Sequence, residues 1–194
     1  MELVRSTVWS EVFEGWRQRE AFNPAWVRCA TEVKGWPDWQ SWRGFTASQI
    51  GAEGRKWQIF RFTDPLEEIP QMLLGPYSGW QSKVSRKNSI SFREMLEDEG
   101  QREFFRRHEG VQRILQGLPF TTEFIGLVRE DVNKIVCLEG HHRAVAFVLA
   151  FMEQKKMDFS GCAVTIALAS LPVEECPILD KVLERGTSKE KKDI

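Results

Sequence analysis

The chain has 194 residues, a formal net charge of -1 at pH 7 and an apolar fraction of 42%. This length is that of one ordinary domain, and this composition supplies enough apolar side chains for a buried core, which excludes a disordered chain. The near-zero net charge gives no general argument for binding to nucleic acid or to a membrane surface.

The N-terminal residues Met1 to Arg5 do not form the basic and apolar runs of a secretory signal. Because no stretch of about 18 apolar residues predicts a membrane span either, we expect a soluble, cytoplasmic protein. Four cysteines are scattered along the chain without a Cys-x-x-Cys pair: Cys29, Cys137, Cys162 and Cys176. Their spacing argues against a zinc site and against a disulfide framework.

The distribution of tryptophan indicates a division of the chain, because all eight tryptophans lie within the first 80 residues. From this shift we predict a Trp-rich helical N-terminal segment over residues 1–55, a main domain over residues 56–183 and a flexible, charged tail over residues 184–194. Apolar spacing predicts a first helix over residues 7–20. Aromatic rings on a helix can stack nucleic-acid bases, but few Lys or Arg residues alternate with these rings, so we favour packing against the main domain.

The main domain contains alternating and apolar runs that are typical of strands. They predict strands over residues 57–62, 124–128, 134–138 and 162–168. Helical spacing predicts one helix over residues 101–115 and a buried helix over residues 144–157. Together these elements predict an α+β fold with a small mixed sheet.

A loop rich in glycine and proline runs from Gly75 to Ser82 and contains the only tyrosine of the chain, Tyr77. Two interpretations stay open. The loop is either a mobile cover whose Tyr77 and Ser82 contact a ligand, or an ordinary surface connection.

The residues best suited to ligand binding or catalysis are Glu139-Gly140-His141-His142-Arg143, between a predicted strand and a predicted helix. The start of a helix offers free backbone N–H groups and the positive end of the helix dipole, which favour a bound anion. Gly140 allows a positive φ or a close approach, and Arg143 adds a planar cation suited to phosphate oxygens. The spacing therefore predicts phosphate binding by Gly140, His141, His142 and Arg143.

The side chains of this segment predict further roles. A histidine can donate a hydrogen bond or transfer a proton near neutral pH. Glu139 can orient a histidine, bind Mg²⁺ or accept a proton. We therefore take Glu139, His141 and His142 as candidate catalytic residues and Glu139 as a candidate metal ligand. A structural interpretation also stays open, in which the histidines cap the helix and Arg143 pairs with Glu139.

Residues Leu138 to Ala146, with the strand before them and the apolar helix after them, resemble the signature of the ParB/sulfiredoxin-like superfamily. In that superfamily a strand ends in a short motif that holds nucleotide phosphates. The resemblance covers about residues 57–170 and is carried by this one motif, whereas residues 1–55 match no signature. It implies a ParB/sulfiredoxin-like fold for the main domain.

Differences within the motif separate the branches of the superfamily. Sulfiredoxins carry Gly-Cys-His-Arg, and His141 stands where they have their nucleophilic cysteine, which argues against that activity. In ParB proteins a helix-turn-helix follows the domain, and the chain after Leu168 is too short for one. The related free-serine kinases carry Asp-Gly-His-His-Arg, from which residues 139–143 differ only by Glu for Asp.

The resemblance implies a nucleotide-binding protein with a small-molecule partner, and ATP, ADP or CTP with Mg²⁺ as cofactors. The first hypothesis is a nucleotide- or phosphate-binding protein, with small-molecule kinase activity on the hydroxyl group of an amino acid as one form of it. The alternative is a non-catalytic module that senses a phosphorylated ligand or binds a protein partner. DNA binding is disfavoured by the near-zero charge and the short C-terminal region, and a homodimer stays open.

Overall fold

A five-stranded mixed sheet forms the centre of the protein, whose computed structural model describes residues 1–190. Its strands are β1 (Glu2–Thr7), β2 (Trp57–Arg61), β3 (Thr122–Arg129), β4 (Lys134–Glu139) and β5 (Val164–Leu171). Their order in the sheet is β1-β2-β5-β3-β4, in which β3 and β5 are parallel and the other neighbours are antiparallel. With the helices on both faces, this sheet confirms the predicted α+β class.

The first three helices belong to the Trp-rich segment. They are α1 (Trp9–Glu20), α2 (Pro24–Arg28), which continues into a π-helical turn at Cys29–Val33, and α3 (Trp39–Ser48). The indoles of Trp16, Trp39 and Trp42 are buried in one cluster with Ile125 and Leu127 of β3. The tryptophans therefore pack against the sheet, as the packing interpretation predicts.

The Trp-rich segment also contains β1, which the sequence pattern does not predict. β1 pairs with β2 so that Leu3 lies opposite Phe60 and Thr7 opposite Trp57. Residues 2–6 of this edge strand are exposed, so its sequence lacks the apolar alternation that identifies a half-buried strand. The prediction that residues 1–55 are helical is therefore wrong at their start, because the segment contributes a strand to the central sheet.

The second face of the sheet is covered by the helices that follow β2 and β4. They are α4 (Pro65–Glu68), α5 (Ser78–Gln81), α6 (Phe92–Glu97), α7 (Glu99–Arg107), α8 (Glu109–Gly117) and α9 (His141–Met152). The side chains of α9 are buried without interruption from Ala144 to Ala150, as its continuous apolar sequence predicts. No helix within residues 1–190 combines the length and apolar character that crossing a membrane requires.

One predicted helix, over residues 101–115, is two helices in the structure. His108 adopts an extended backbone conformation between α7 and α8, and its side chain accepts a hydrogen bond from the backbone N–H of Val111. His108 thus caps the start of α8. A capping histidine was not recognised because Ser, Thr, Asp and Asn are the usual capping residues.

The last helix, α10 (Ile178–Arg185), packs on the face that carries the tryptophans. The residues directly after it are bonded to the Trp-rich segment: the N–H of Lys189 donates to the carbonyl of Lys34, and the indole of Trp36 donates to the carbonyl of Thr187. The predicted flexible tail, residues 184–194, is therefore wrong for residues 184–189. Residues 191–194 lie outside the described part of the chain.

A buried ion pair joins the end of α1 to α3. Nη2 of Arg43 lies 2.7 Å from Oε2 of Glu20, and both side chains are about nine-tenths buried. The same carboxylate accepts a hydrogen bond from the indole of Trp39, and the Arg43 guanidinium lies over the rings of Trp42 and Trp26 at 3.8 and 5.3 Å. Because each charge is matched by polar and aromatic partners, removing one partner leaves the other charge buried without compensation.

We expect Arg43→Ala to lower the free energy of unfolding by about 3–5 kcal/mol, since Glu20 then stays buried without its cation. The control is Arg28→Ala, which removes an exposed arginine of α2 and should change stability by less than about 0.5 kcal/mol. Urea denaturation followed by tryptophan fluorescence measures both. Equal effects of the two substitutions would contradict a structural role for the pair.

Candidate functional site

β4 ends and α9 begins at Gly140, which has a φ of +106°. Residues with a side chain rarely adopt this backbone conformation. A Cβ at this position would also lie 2.8 Å from Cε1 of Phe124, whose ring fills the space beside the turn. The turn between β4 and α9 therefore requires glycine.

The first turn of α9 has free backbone N–H groups. The initial N–H groups of a helix have no partner within the helix, and Gly140 has no side chain that could cap them. The N–H groups of His141, His142 and Arg143 form no hydrogen bond to another described residue. Since α9 has 12 residues, its start carries the positive end of a full helix dipole.

His141 points away from this helix start and into the protein. It is 7% exposed, and its Nε2 accepts a hydrogen bond of 3.1 Å from the backbone N–H of Gly75. Burial, reinforced by the charges of His142, Arg43 and Arg143, lowers the pKa of His141 well below its usual value. The ring is therefore neutral, with its proton on Nδ1, and anchors the loop that begins at Gly75.

The loop from Gly75 to Ser82 lies over His141. The Tyr77 ring lies 5.5 Å from the His141 ring, and Trp80 stacks on it at 4.9 Å. A Cβ at Gly75 would lie 2.6 Å from Nε2 of His141, so this close approach also depends on glycine. The side chain of Ser82 is exposed and makes no hydrogen bond to any residue within 1–190. The structure thus brings Tyr77, but not Ser82, to the start of α9.

His142 is the histidine that faces the half-buried surface at the start of α9. Its ring stacks on His108 at 5.0 Å, meets the edge of Trp80 at 5.2 Å and lies 6.3 Å from Trp26. Burial, with the charges of His108 and Lys83 adding to it, lowers the pKa of His142 to about 4. His142 is therefore neutral near pH 7 and stands where neighbouring groups disfavour a further positive charge.

The Arg143 guanidinium is directed to β3 and β4 rather than to the histidines. It donates to the carbonyl of Glu123 at 3.0 Å and to the hydroxyl of Thr122. It also donates to Oε1 of Glu139, in agreement with the structural interpretation of this pair. Since its side chain is only 13% exposed, Arg143 fixes the turn and presents little of its charge to solvent.

Glu139 has a second arginine beside it, Arg19 of α1, which no sequence pattern marks as a site residue. Nη2 of Arg19 lies 3.5 Å from Oε2 of Glu139, and Nη1 lies 3.4 Å from Oε1 of Glu123. Two nitrogens of Arg19, Nε and Nη2, are buried and form no hydrogen bond among the described residues, and neither does Oε2 of Glu139. No local signal could have found Arg19, because its contacts lie more than 100 residues away in sequence.

The predicted site residues are therefore adjacent, but their side chains diverge. His141 contacts Gly75, His142 contacts His108, and Arg143 contacts Glu139. The prediction that both imidazoles and the guanidinium of Arg143 act on one phosphate is wrong in this geometry. What remains at the N-terminal end of α9 is its backbone N–H groups and the side chain of His142.

Glu139 is the only predicted metal ligand, and both of its carboxylate oxygens face arginines. Within residues 1–190, no three His, Cys, Asp or Glu side chains are grouped so that they could hold a metal ion. For Glu139 to bind Mg²⁺ or to accept a proton, its ion pair with Arg143 would first have to break.

Comparison of the chain with protein-family models, with curated proteins and with solved structures gives no match.

We expect Gly140→Ala to lower the free energy of unfolding by about 2 kcal/mol or more, because it combines a strained φ with a clash against Phe124. Gly44→Ala is the control: a Cβ at Gly44 in α3 meets nothing within 4 Å, so this change should be neutral or stabilising by up to about 1 kcal/mol. Thermal and urea unfolding measure both, and a tolerated Gly140→Ala would contradict the described turn.

The lowered pKa values of His141 and His142 predict how stability depends on pH. Between the ordinary histidine pKa and the pKa of about 4 in the folded protein, the unfolded chain binds more protons, so stability falls as the pH is lowered. We expect the urea midpoint to decrease from about pH 7 to about pH 5, and to decrease less in His142→Gln. An unchanged pH dependence in His142→Gln would show that the ring is not buried as described.

Proposed function

We propose that the protein binds a phosphate-bearing small molecule at the N-terminus of α9. The observation that carries this proposal is the set of N–H groups of His141, His142 and Arg143, which nothing within residues 1–190 caps. Phosphate oxygens accept such hydrogen bonds and are stabilised by the helix dipole. A nucleotide is the ligand class that the ParB/sulfiredoxin-like resemblance implies.

The side chains around this helix start support an anionic ligand with an organic part. Burial is the main cause of the lowered pKa of His142, and the charges of His108 and Lys83 add to it, so Lys83 is a cation near this ring. Neutral His142 can donate a hydrogen bond, and the half-buried rings of Trp26 and Trp80 beside it provide apolar surface. This combination suits a phosphate attached to a planar or apolar group.

Between the two functional hypotheses, we favour the non-catalytic phosphate-binding module over the kinase. A kinase that used Glu139 as base and His141 at the transferring group would need both side chains free. Glu139 is held by Arg143, and the acceptor nitrogen of His141 is occupied by Gly75. The kinase proposal therefore requires a rearrangement, whereas binding through the α9 N–H groups does not.

We place this function in the cytoplasm. All four cysteines have free thiols, and burial raises the pKa of Cys29, Cys137 and Cys176, which lowers their thiolate fraction near pH 7. Free thiols are usual in a reducing compartment.

Titration of the ¹⁵N-labelled protein with inorganic phosphate, AMP, ADP, ATP and CTP tests the binding proposal. We expect the backbone amide signals of His141, His142 and Arg143 to shift with at least one of these ligands, since a bound oxyanion accepts their hydrogen bonds. His142→Ala should weaken this binding about fivefold, because it removes one neutral hydrogen bond.

The control is Lys181→Ala, which removes an exposed cation from α10, on the opposite face of the sheet, and should leave the affinity unchanged. Unmoved amide signals at the start of α9 with every ligand would refute the proposal. Adding Mg²⁺ and serine or threonine to the nucleotide mixtures should yield no phosphorylated amino acid, and its formation would favour the kinase instead.

A further inference from the structure

The central sheet has two edge strands, and only one of them is covered. Along the outer edge of β4, the backbone N–H of Leu73 donates to the carbonyl of Ile135 at 2.7 Å, and the N–H of Cys137 donates to the carbonyl of Leu73 at 3.0 Å. β1, at the other edge, pairs with β2 and has no strand along its outer side within residues 1–190. Such an edge presents backbone donors and acceptors with which a further strand can pair.

The middle of β1 is apolar and exposed. Leu3 is 57% exposed and Val4 is 50% exposed, and the charged residues Glu2 and Arg5 stand on either side of them. Edge strands are commonly protected from pairing by lysine or proline, and residues 2–7 contain neither. Because burial of apolar surface is favourable, these side chains favour pairing with another strand over exposure to solvent.

A β-bulge within β1 places its two charged residues on one face of the sheet. Glu2 lies opposite Arg61 of β2 and Arg5 lies opposite Ile59, with a register shift between these two pairs. Residues 59 and 61 share a face because side chains alternate along a strand, so Glu2 and Arg5 share that face too. A bulge can protect an edge from pairing, but this one brings an acid and a base into line, which a regular strand would place on opposite faces.

The charges of β1 are complementary to those of a second β1 strand that runs in the opposite direction. The order acid, apolar, apolar, base at residues 2–5 brings Arg5 of one copy opposite Glu2 of the other. Opposed residues of an antiparallel pair point to the same face, and opposite charges there stabilise the pair. Glu2 forms no ion pair within residues 1–190. Arg5 uses only Nη1 in its hydrogen bond to Glu11, which leaves Nε and Nη2 for a second carboxylate.

We infer that β1 is a homodimer interface, at which β1 of a second copy of this chain pairs antiparallel and joins the two five-stranded sheets into one. One self-complementary strand serves both copies, as a two-fold dimer requires. Since a pair of six-residue strands makes a small interface, we expect a reversible dimer with a micromolar dissociation constant. This inference does not depend on phosphate binding at α9.

Sedimentation equilibrium of the full chain over a concentration series tests this inference. We expect the wild type to change from monomer to dimer as its concentration rises through the micromolar range. Leu3→Lys should weaken the dimer about tenfold or more, because it places a charge in the middle of the strand pair. Val173→Lys is the matched control, since Val173 is also apolar and is 56% exposed in the turn after β5, and it should change the affinity less than about twofold.

Exchange of the charges tests the alignment of the two strands. We expect Glu2→Arg and Arg5→Glu each to weaken the dimer about fivefold, because each places like charges opposite each other at two symmetric positions. The double variant restores opposite charges, so its affinity should return to within about twofold of that of the wild type. Because both side chains are exposed, circular dichroism should show wild-type folding in all three variants.

Two results would support the interface together: loss of the dimer in Leu3→Lys but not in Val173→Lys, and recovery of the dimer in the double charge exchange. A chain that stays monomeric at millimolar concentration overturns the inference and would leave β1 open to a strand of another protein. A dimer that Leu3→Lys leaves unchanged uses another surface and overturns it as well. Single exchanges without effect, or a double exchange without recovery, overturn the pairing of Glu2 with Arg5 on which the choice of partner depends.

Discussion

The conformation of Gly140 is the constraint on which the rest of the site depends. Its φ of +106° lets buried strand β4 turn directly into buried helix α9, and the Phe124 ring leaves no room for a side chain. A glycine at this position cannot cap the helix, so the turn that the fold requires also leaves the first N–H groups of α9 without partners. Structure and proposed function therefore follow from one backbone feature.

The residues around this turn divide into a supporting set and an accessible set. His141 anchors the Gly75 loop, and Arg143 ties α9 to Glu139 and to the start of β3, so both are committed to the fold. His142 is half-buried at the same end of α9, where its ring contacts His108, Trp80 and Trp26. At this end of α9 the motif thus presents mainly its backbone N–H groups and the ring of His142.

The sequence predicts the parts of the fold that have strong local patterns. Strands β2 to β5, helix α9 and the junction at Gly140 are recognisable from apolar runs and one glycine. β1 was missed because an exposed edge strand has no apolar alternation, and the break at His108 was missed because histidine is an unusual cap. The orientation of the Arg143 side chain and the position of Arg19 beside Glu123 depend on contacts between distant segments, which no local pattern encodes.

The most direct test of the account is where an oxyanion binds in the crystal. Tungstate resembles phosphate in shape and charge, and its anomalous scattering distinguishes tungsten from the lighter atoms of the protein and solvent. The account predicts a tungsten peak within hydrogen-bonding reach of the backbone amides of His141 to Arg143. Ordered tungstate at other positions only, or a protein side chain covering those amides, would contradict it.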